Sequence, residues 1–336
     1  MCAVRIITAD PAQREAEAVL AVRDSPDPAL ADDGVVIAVE AAGVNPADLL
    51  QVAGKYPAPS GAPSWPGLEV AGRVVATGPL VHGWAVGQRV AALLPGGGYA
   101  ELAAAPASQL LAVPDALTSV AAAAVPEALA TAWSNLVDVA GMQADDVVLV
   151  HGGTGGVGSI AAQLAVARGA RVVAVAGGPE RAQRLRGLLA SVPGTHAPVV
   201  VDRTTEDFVE ACHDLGGADV VLDVVGAANL GRNVGALAQA GRLVVIGLQR
   251  GRRGELDLGT LLAKRASVHG TTLRSRPIDE KAAIMAAVRA EAWPLVVDGT
   301  ITPVVHATFP LEDAQLAHET VKHGSPFGKV VLVRDV

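Results

Sequence analysis

Apolar and polar positions follow two different periods along the chain. Up to about residue 105 the apolar residues come in short runs broken by Gly and Pro, at 4–7, 35–41, 70–77, 89–94 and 99–105, which predicts a small β-rich unit. Beyond Thr118 the Ala-rich segments lengthen the period, and from Asp146 apolar runs alternate with amphipathic helical stretches, the pattern of β-α-β units over a parallel sheet. Strands are predicted at 147–150, 171–175, 199–201, 220–223, 242–246 and 267–271, enough for a complete doubly wound Rossmann sheet. After Thr272 the pattern predicts helices over 278–291 and 311–322 and a closing strand at 329–334, which is short, apolar and expected to rejoin the β-rich unit. The expected organisation is therefore α/β: a Rossmann domain over 125–272 inserted between two pieces, 1–124 and 273–336, of a discontinuous β-rich domain.

A length of 336 residues suits two domains that each bury their own core. A net charge of −8 and pI near 5.5 argue against a polyanionic partner. The small groups Arg181/Arg184/Arg186 and Arg250/Arg252/Arg253 do not make the broad basic face that nucleic acid requires. Arg5 and Asp10 interrupt the N-terminus, leaving no apolar region for a secretion signal. Residues 147–167 carry no formal charge, but glycines crowd their middle, so they read as strand, turn and helix rather than a membrane span. Cys2 and Cys212 are too few for a disulfide framework, and this fits a reducing cytoplasm.

Residues 147–165 read V-V-L-V-H-G-G-T-G-G-V-G-S-I-A-A-Q-L-A, placing Gly153-x-Gly155-x-x-Gly158 directly after a buried strand and at the mouth of an Ala-rich helix. In a chain with 37 glycines a bare G-x-G-x-x-G says little. In this setting each glycine serves a purpose, namely a tight turn, close backbone approach to a pyrophosphate, and helix-on-strand packing. The anion rests on N–H groups at a helix N-terminus, where the dipole contributes roughly 0.3–1 kcal/mol. Gly153, Thr154, Gly155, Gly156 and Val157 are the expected contacts.

The end of the second strand selects the cofactor. NAD enzymes put an acid there for the ribose 2′-hydroxyl, whereas NADP enzymes leave room and supply cations. Residues 176–181 are A-G-G-P-E-R: no acid stands at the strand end, Glu180 comes too late, and Arg181, with Arg184 as a second, suits a forked contact with a 2′-phosphate. Gly177, Gly178 and Arg181 favour NADPH; the alternative is that both arginines are ordinary helix surface.

Many enzymes with this two-part plan polarise their substrate with a zinc ion held by Cys, His and acid ligands. Here Cys2 and Cys212 lie far from any ligand spacing and no C-x-x-C occurs. His82, His151, His196, His213, His269, His306, His318 and His323 are scattered through loops and predicted surface helices, and each reads as a surface or turn histidine. No metal site is expected. Without a Lewis acid, alcohol oxidation lacks the usual stabilisation of an alkoxide, and reduction of an already electrophilic acceptor is the expected chemistry.

Nearly the whole chain resembles the zinc-independent quinone oxidoreductases, the zeta-crystallin-like branch of the medium-chain dehydrogenase/reductase superfamily, whose catalytic domain is GroES-like. The resemblance rests on A-A-G-V-N-P-A-D (41–48), P-G-L-E-V-A-G (66–72), L-L-P-G-G-G-Y-A-E (93–101), V-P-E-A-L-A-T-A-W (125–133), the glycine turn and D-V-V-G (223–226). Residues 95–98 and 271–276 most resemble the tumour-suppressor-inducible branch. Zinc-dependent relatives have G-H-E where this chain has Gly67-Leu68-Glu69, and a Cys ligand where Asn45 stands.

The resemblance implies that Asn45 lines the nicotinamide side of the site and Tyr56 stands at the substrate mouth, both as candidate catalytic residues. It places Thr131 near the nicotinamide amide, wraps Val225-Gly226, Ile246-Gly247-Leu248 and Leu273-Arg274 around the ribose and nicotinamide, and adds Phe327 and Lys329 from the closing strand. It implies hydride transfer to a quinone or an α,β-unsaturated carbonyl, with the developing oxyanion met by donors near Asn45 and Tyr56 or by water. Homodimers or homotetramers joined at the edge strand 267–271 are implied as well. The chain departs from the family pattern in a longer 186–202 link, in Gly178 where Ser is usual, and in Arg203 where Tyr is common; Arg203 becomes a candidate for the 2′-phosphate or adenine. Two other readings stand beside this one: an enoyl-CoA or acrylyl-type double-bond reductase, and a low-turnover NADPH-binding sensor or structural protein.

Overall fold

The computed structural model describes residues 4–9, 19–323 and 326–334; Cys2 lies outside them. The chain forms two compact units, one of Met1–Glu127, Arg274–Val297 and Pro303–Val336, the other of Ala128–Leu273 and Asp298–Thr302.

The first unit begins with β1 (Val4–Ala9), β2 (Leu20–Ser25), β3 (Gly34–Val44), β4 (Glu69–Thr77), β5 (Arg89–Leu93), β6 (Leu102–Pro106) and β7 (Leu110–Ala112). The second unit holds β8 (Val147–Val150), β9 (Arg171–Ala176), β10 (Val199–Asp202), β11 (Ala218–Asp223), β12 (Leu237–Val245) and β13 (Ser267–Gly270). The chain then returns to the first unit for β14 (Val305–Pro310) and β15 (Lys329–Val333).

In the first unit the sheet order is β14-β15-β3-β4-β5-β7, with β6 also on β3 and β1-β2 forming a separate hairpin. The long strand β3 is the spine, because its apolar run lets it bury both faces. Its Val35, Ile37 and Val39 pack with Val70, Val74, Val90, Leu110, Val330 and Leu332, and the helix Ala314–His323 closes the core with Ala314 and Ala317. The closing strand does rejoin this unit: β15 pairs antiparallel with β3, Val330 opposite Val44 and Val331 opposite Gly43.

In the second unit six parallel strands take the order β10-β9-β8-β11-β12-β13, the doubly wound arrangement. All four residues of β8, Val-Val-Leu-Val, are buried, as expected of a strand covered on both faces. The residues read from sequence as strand, turn and helix form β8, a glycine turn and the helix Gly156–Ala167.

The structure departs from the sequence reading at several elements. Tyr99 is not in β6; its backbone bonds Pro66 and Ile7, so the strand starts at Leu102. β2, β7 and β14 were not anticipated: β14 alternates half-buried with exposed positions between prolines, β2 carries charges and β7 is three residues long. The helix expected over 278–291 is α-helical over Ile278–Ala287 and widens to a π turn at Val288–Ala292. The extra residues of the 186–202 link pack backward: a Cβ on Gly194 would lie 2.7 Å from Val166, and His196 Nε2 sits 2.7 Å from Asp145. Both contacts are at the C-terminal end of the twelve-residue helix Gly156–Ala167, about 18 Å from the glycine turn at 1.5 Å per residue. Among the described residues no helix is long and apolar enough to cross a membrane.

Candidate nucleotide and acceptor sites

The glycine turn is built by steric necessity. A Cβ on Gly158 would lie 2.1 Å from the Gly152 carbonyl oxygen, and one on Gly153 would lie 2.9 Å from Leu185. The Gly153 N–H donates to the Val175 carbonyl at 2.9 Å and the His151 N–H to that of Leu222 at 3.0 Å, fixing the turn above β9 and β11. The first N–H groups of the following helix have no intrahelical acceptor, which makes a cradle for a phosphate. These residues fit a dinucleotide.

At the end of β9, Arg203 lies over Gly177: a Cβ there would be 3.0 Å from its Nη2 and 3.1 Å from its Nε. Gly178 has φ +94, and its N–H donates to Asp202 Oδ1 at 2.9 Å. A side chain on that backbone would be strained although the space beside it is open. The Arg181 guanidinium donates to the Thr154 hydroxyl, and burial, then Arg203, then Arg184, press its pKa down. Guanidiniums that repel one another around two glycines suit an added dianion, and the sequence-predicted Gly177, Gly178, Arg181, Arg203 and Thr154 come together here.

A second group forms at the ends of β11 and β12. The Asp223 carboxylate accepts the N–H of Val225 at 2.8 Å and that of Gly226 at 2.9 Å. Gln249 and Arg250 N–H groups bond the carbonyls of Val224 and Val225 at 3.2 and 2.8 Å. A Cβ on Gly247 would lie 2.7 Å from the Val224 carbonyl oxygen. Ile246, Gly247, Val225 and Gly226 are thus one knot, with Leu248 exposed on it. Thr131 stands apart, in the helix Pro126–Trp133; its carbonyl accepts Asn135 Nδ2 at 2.7 Å, and Asn135 Oδ1 accepts the Thr271 hydroxyl at 2.5 Å. Leu273 is buried.

In the first unit Asn45 caps the helix Pro46–Val52 and is buried. Its Nδ2 donates to Glu69 Oε1 at 2.9 Å, and its Oδ1 accepts from Lys329 Nζ at 2.5 Å. Lys329 also forms an ion pair with Glu69 Oε1, both side chains at most 5% exposed. Glu69 Oε2 accepts the Glu127 N–H at 3.0 Å. Asn45 stands where zinc-dependent relatives have a Cys ligand and Leu68, with no donor atom, at the His of their G-H-E; the Asn45 and Glu69 group does not fit a divalent cation. The carboxylate and the amide oxygen already carry an ammonium, and among the described residues no group of three or more His, Cys, Asp or Glu comes together.

Two of the histidines read as surface residues are in fact buried: His151 beneath the glycine turn, 2.7 Å from Asn233 Oδ1, and His318. His318 Nε2 lies 3.1 Å from the Tyr99 hydroxyl, which reaches Asp48 Oδ2 at 3.5 Å. Asp48 also accepts the N–H groups of Asn45 and Gly67, both at 2.8 Å. Burial pushes the Asp48 carboxyl up to about 6, the His318 imidazole down to about 4, and the Tyr99 phenol well above its ordinary value. Tyr56, half-buried, has its phenol raised by burial, and its ring lies 5.3 Å from the Arg274 guanidinium carbon. Phe327 is buried next to Gly328, whose φ is +95.

Sequence reasoning passed over Glu69, Asp48, Asp202 and Asp223 as functional groups. Asp48, Glu69 and Asp223 stand inside the family motifs, so a buried acid in a motif was the available signal. Asp202 is recognisable only by the N–H groups it accepts.

Residues 31–115 match the alcohol dehydrogenase GroES-like domain and residues 156–289 match the zinc-binding dehydrogenase family. With the doubly wound sheet and its glycine turn, they define a medium-chain dehydrogenase/reductase, an oxidoreductase. The quinone oxidoreductase of Lama guanicoe is 33% identical over 305 residues, 89% of this chain and 88% of that protein. The structure of Escherichia coli quinone oxidoreductase complexed with NADPH superposes with a TM-score of 0.82 at 27% identity, over 98% of this chain and 99% of that one. The polyketide synthase GfsB of Streptomyces halstedii is 34% identical over 303 residues, 90% of this chain but 5% of that protein. The chain belongs to the quinone oxidoreductase family.

Proposed function

We propose that this protein is an NADPH-dependent, metal-free reductase of quinones or α,β-unsaturated carbonyls. The observation that carries this reading is at the position of the relatives' Cys ligand: the Lys329 ammonium rests on Asn45 and Glu69, so their oxygens already hold a cation. Support for NADPH comes from the Arg181 and Arg203 guanidiniums at Gly177 and from the quinone oxidoreductase named above, which was solved with it. When bound, the nucleotide supplies a hydride.

The chain's own residues supply position and charge. The turn at Gly153, Thr154, Gly155, Gly156 and Val157 holds the pyrophosphate, Arg181 and Arg203 take the 2′-phosphate, and Thr131 with the 225–226 and 246–248 knot orients the nicotinamide end. Holding hydride donor and acceptor in contact is worth about 7–11 kcal/mol of barrier. Tyr56, a phenol protonated at neutral pH and held further so by burial, serves as the hydroxyl donor for the developing oxyanion; Asn45, whose Nδ2 donates one N–H to Glu69, offers its other to the same role. The edge strand β13 joins two copies into a homodimer: among the described residues it pairs only with β12, and it carries Val268 partly exposed.

The test is NADPH oxidation with a panel of quinones, enones and enoyl-CoAs. Turnover of quinones or enones above background is expected, and its absence with every acceptor would leave a nucleotide-binding sensor. Turnover confined to enoyl-CoAs would favour the second reading, which the match to a polyketide synthase segment supports. Unchanged turnover in Tyr56→Phe would remove Tyr56 as proton donor.

A further inference from the structure

The guanidinium of Arg274 is buried, 7% exposed, and every one of its nitrogens has a partner. Nε donates to the Pro95 carbonyl at 2.7 Å, Nη1 to the Tyr56 carbonyl at 3.4 Å, and Nη2 to Gln51 Oε1 at 2.6 Å. The group also lies beneath the Tyr56 ring at 5.3 Å, a cation–π distance. Gln51 passes the constraint on, its Nε2 donating to the Ser64 carbonyl at 2.8 Å. Behind the guanidinium the backbone is pinned, since Lys281 Nζ donates to the Arg274 carbonyl at 3.3 Å. Room for it is made at Gly96, where a Cβ would stand 3.2 Å from Nη2.

Three chain segments thus meet on one side chain: the end of the helix Pro46–Val52, the Tyr56 loop and the 95–98 turn. None of the three hydrogen-bond acceptors is charged. An arginine waiting for a phosphate would keep a forked face open, whereas this one has spent its fork on two carbonyls and an amide. Lysine cannot substitute, because a single ammonium does not span three diverging acceptors.

We propose that Arg274 is the positioning residue of the acceptor site, clamping the Tyr56 loop against the 95–98 turn, and that it is not a ligand of the nucleotide. This rests on the quinone or enone reading above. Its consequence is that affinity for the acceptor, and not for NADPH, depends on Arg274.

The experiment compares wild type with Arg274→Gln, Arg274→Lys, Gln51→Ala, Tyr56→Ala and the double variant Arg274→Gln/Tyr56→Ala. NADPH affinity is read by fluorescence, kinetics with 1,4-benzoquinone, and loop order by amide hydrogen exchange. Both Arg274 variants raise the benzoquinone KM about tenfold and lower kcat by about threefold or more, because the loop they release carries Tyr56, while the NADPH Kd stays within about twofold. Gln51→Ala gives the same pattern at about threefold, and decides the matter if the Arg274 variants do not fold. Exchange quickens in residues 54–66 and not in 147–165. The double variant is no worse than Tyr56→Ala alone, since the clamp acts through that loop. The proposal is overturned by an NADPH Kd that rises about tenfold with KM unchanged, by additive effects in the double variant, or by unaltered exchange in 54–66. Wild-type protein that fails to oxidise NADPH with every acceptor tried removes the functional reading instead, and the exchange measurement still judges the clamp.

Discussion

The chain Asp48–Tyr99–His318 makes a prediction about stability and pH. Between about pH 4 and 6 the folded protein holds a proton on Asp48 that the unfolded chain, with an ordinary carboxyl near 3.8, has released. Asp48 therefore favours the fold as pH falls through 6, and that contribution is lost as pH rises. His318 acts the other way. Its folded pKa near 4 lies below the ordinary 6.5, so the unfolded chain takes up a proton first and stability is lost as pH falls from 6.5 towards 4. At 1.36 kcal/mol per pKa unit each displacement corresponds to about 3 kcal/mol, and the two nearly cancel in the wild type. Substituting His318→Gln, whose amide still reaches the Tyr99 hydroxyl, uncovers the Asp48 contribution. Relative to wild type the variant gains about 3 kcal/mol between pH 6.5 and 4, while Asp48→Asn loses about as much between pH 6 and 4. Urea unfolding followed by tryptophan fluorescence across this range measures both. Differences from wild type that stay flat within about 1 kcal/mol for both variants would refute the reasoning.

Other outcomes follow from the same geometry. Arg181→Ala and Arg203→Ala each weaken NADPH binding by about tenfold or more while leaving NADH binding nearly unchanged, read by fluorescence titration of the two nucleotides. Lys329→Met leaves Glu69 charged and buried and costs about 3–5 kcal/mol, most of which Glu69→Gln restores in the double variant, measured by denaturant unfolding. Gly43→Ala brings a Cβ to 2.3 Å from Glu69 Oε1 and 2.6 Å from the Ala123 carbonyl oxygen, so the variant is destabilised by about 1–3 kcal/mol or more in the same assay. Val268→Lys yields a monomer by sedimentation where the parent chain is a dimer.

The second unit was legible because its strands are covered on both faces: the runs at β8, β9 and β11 are continuous and apolar, and the glycine turn between strand and helix can be read from spacing alone. The first unit was legible only where its strands are buried. β3 and β4 announce themselves, but β14 alternates half-buried with exposed positions and its pairing with β15 is a tertiary event that local pattern does not encode. The candidate sites divide the same way. The turn and Arg181 follow from motif geometry. Lys329 joins Asn45 from 284 positions away, which no local pattern encodes, whereas His318 shares a buried helix face with Ala314, Ala317 and Val321, a spacing that could have marked it. The resemblance puts Arg274 at the ribose and nicotinamide; its hydrogen-bond partners come from separate loops that no local pattern joins.

The position of β15 between β14 and β3 bears on the order in which the protein is made. A growing chain reaches β3 early, yet the strand that completes its hydrogen bonding is encoded 285 residues after the end of β3. At about 5–20 residues per second the ribosome takes roughly 15–60 s to supply it. Meanwhile Ala128–Leu273 emerges as one uninterrupted stretch holding all six of its strands. The later-encoded unit is thus the first that can finish folding, and β3 waits with an open edge, the moment at which a chaperone would find most to bind.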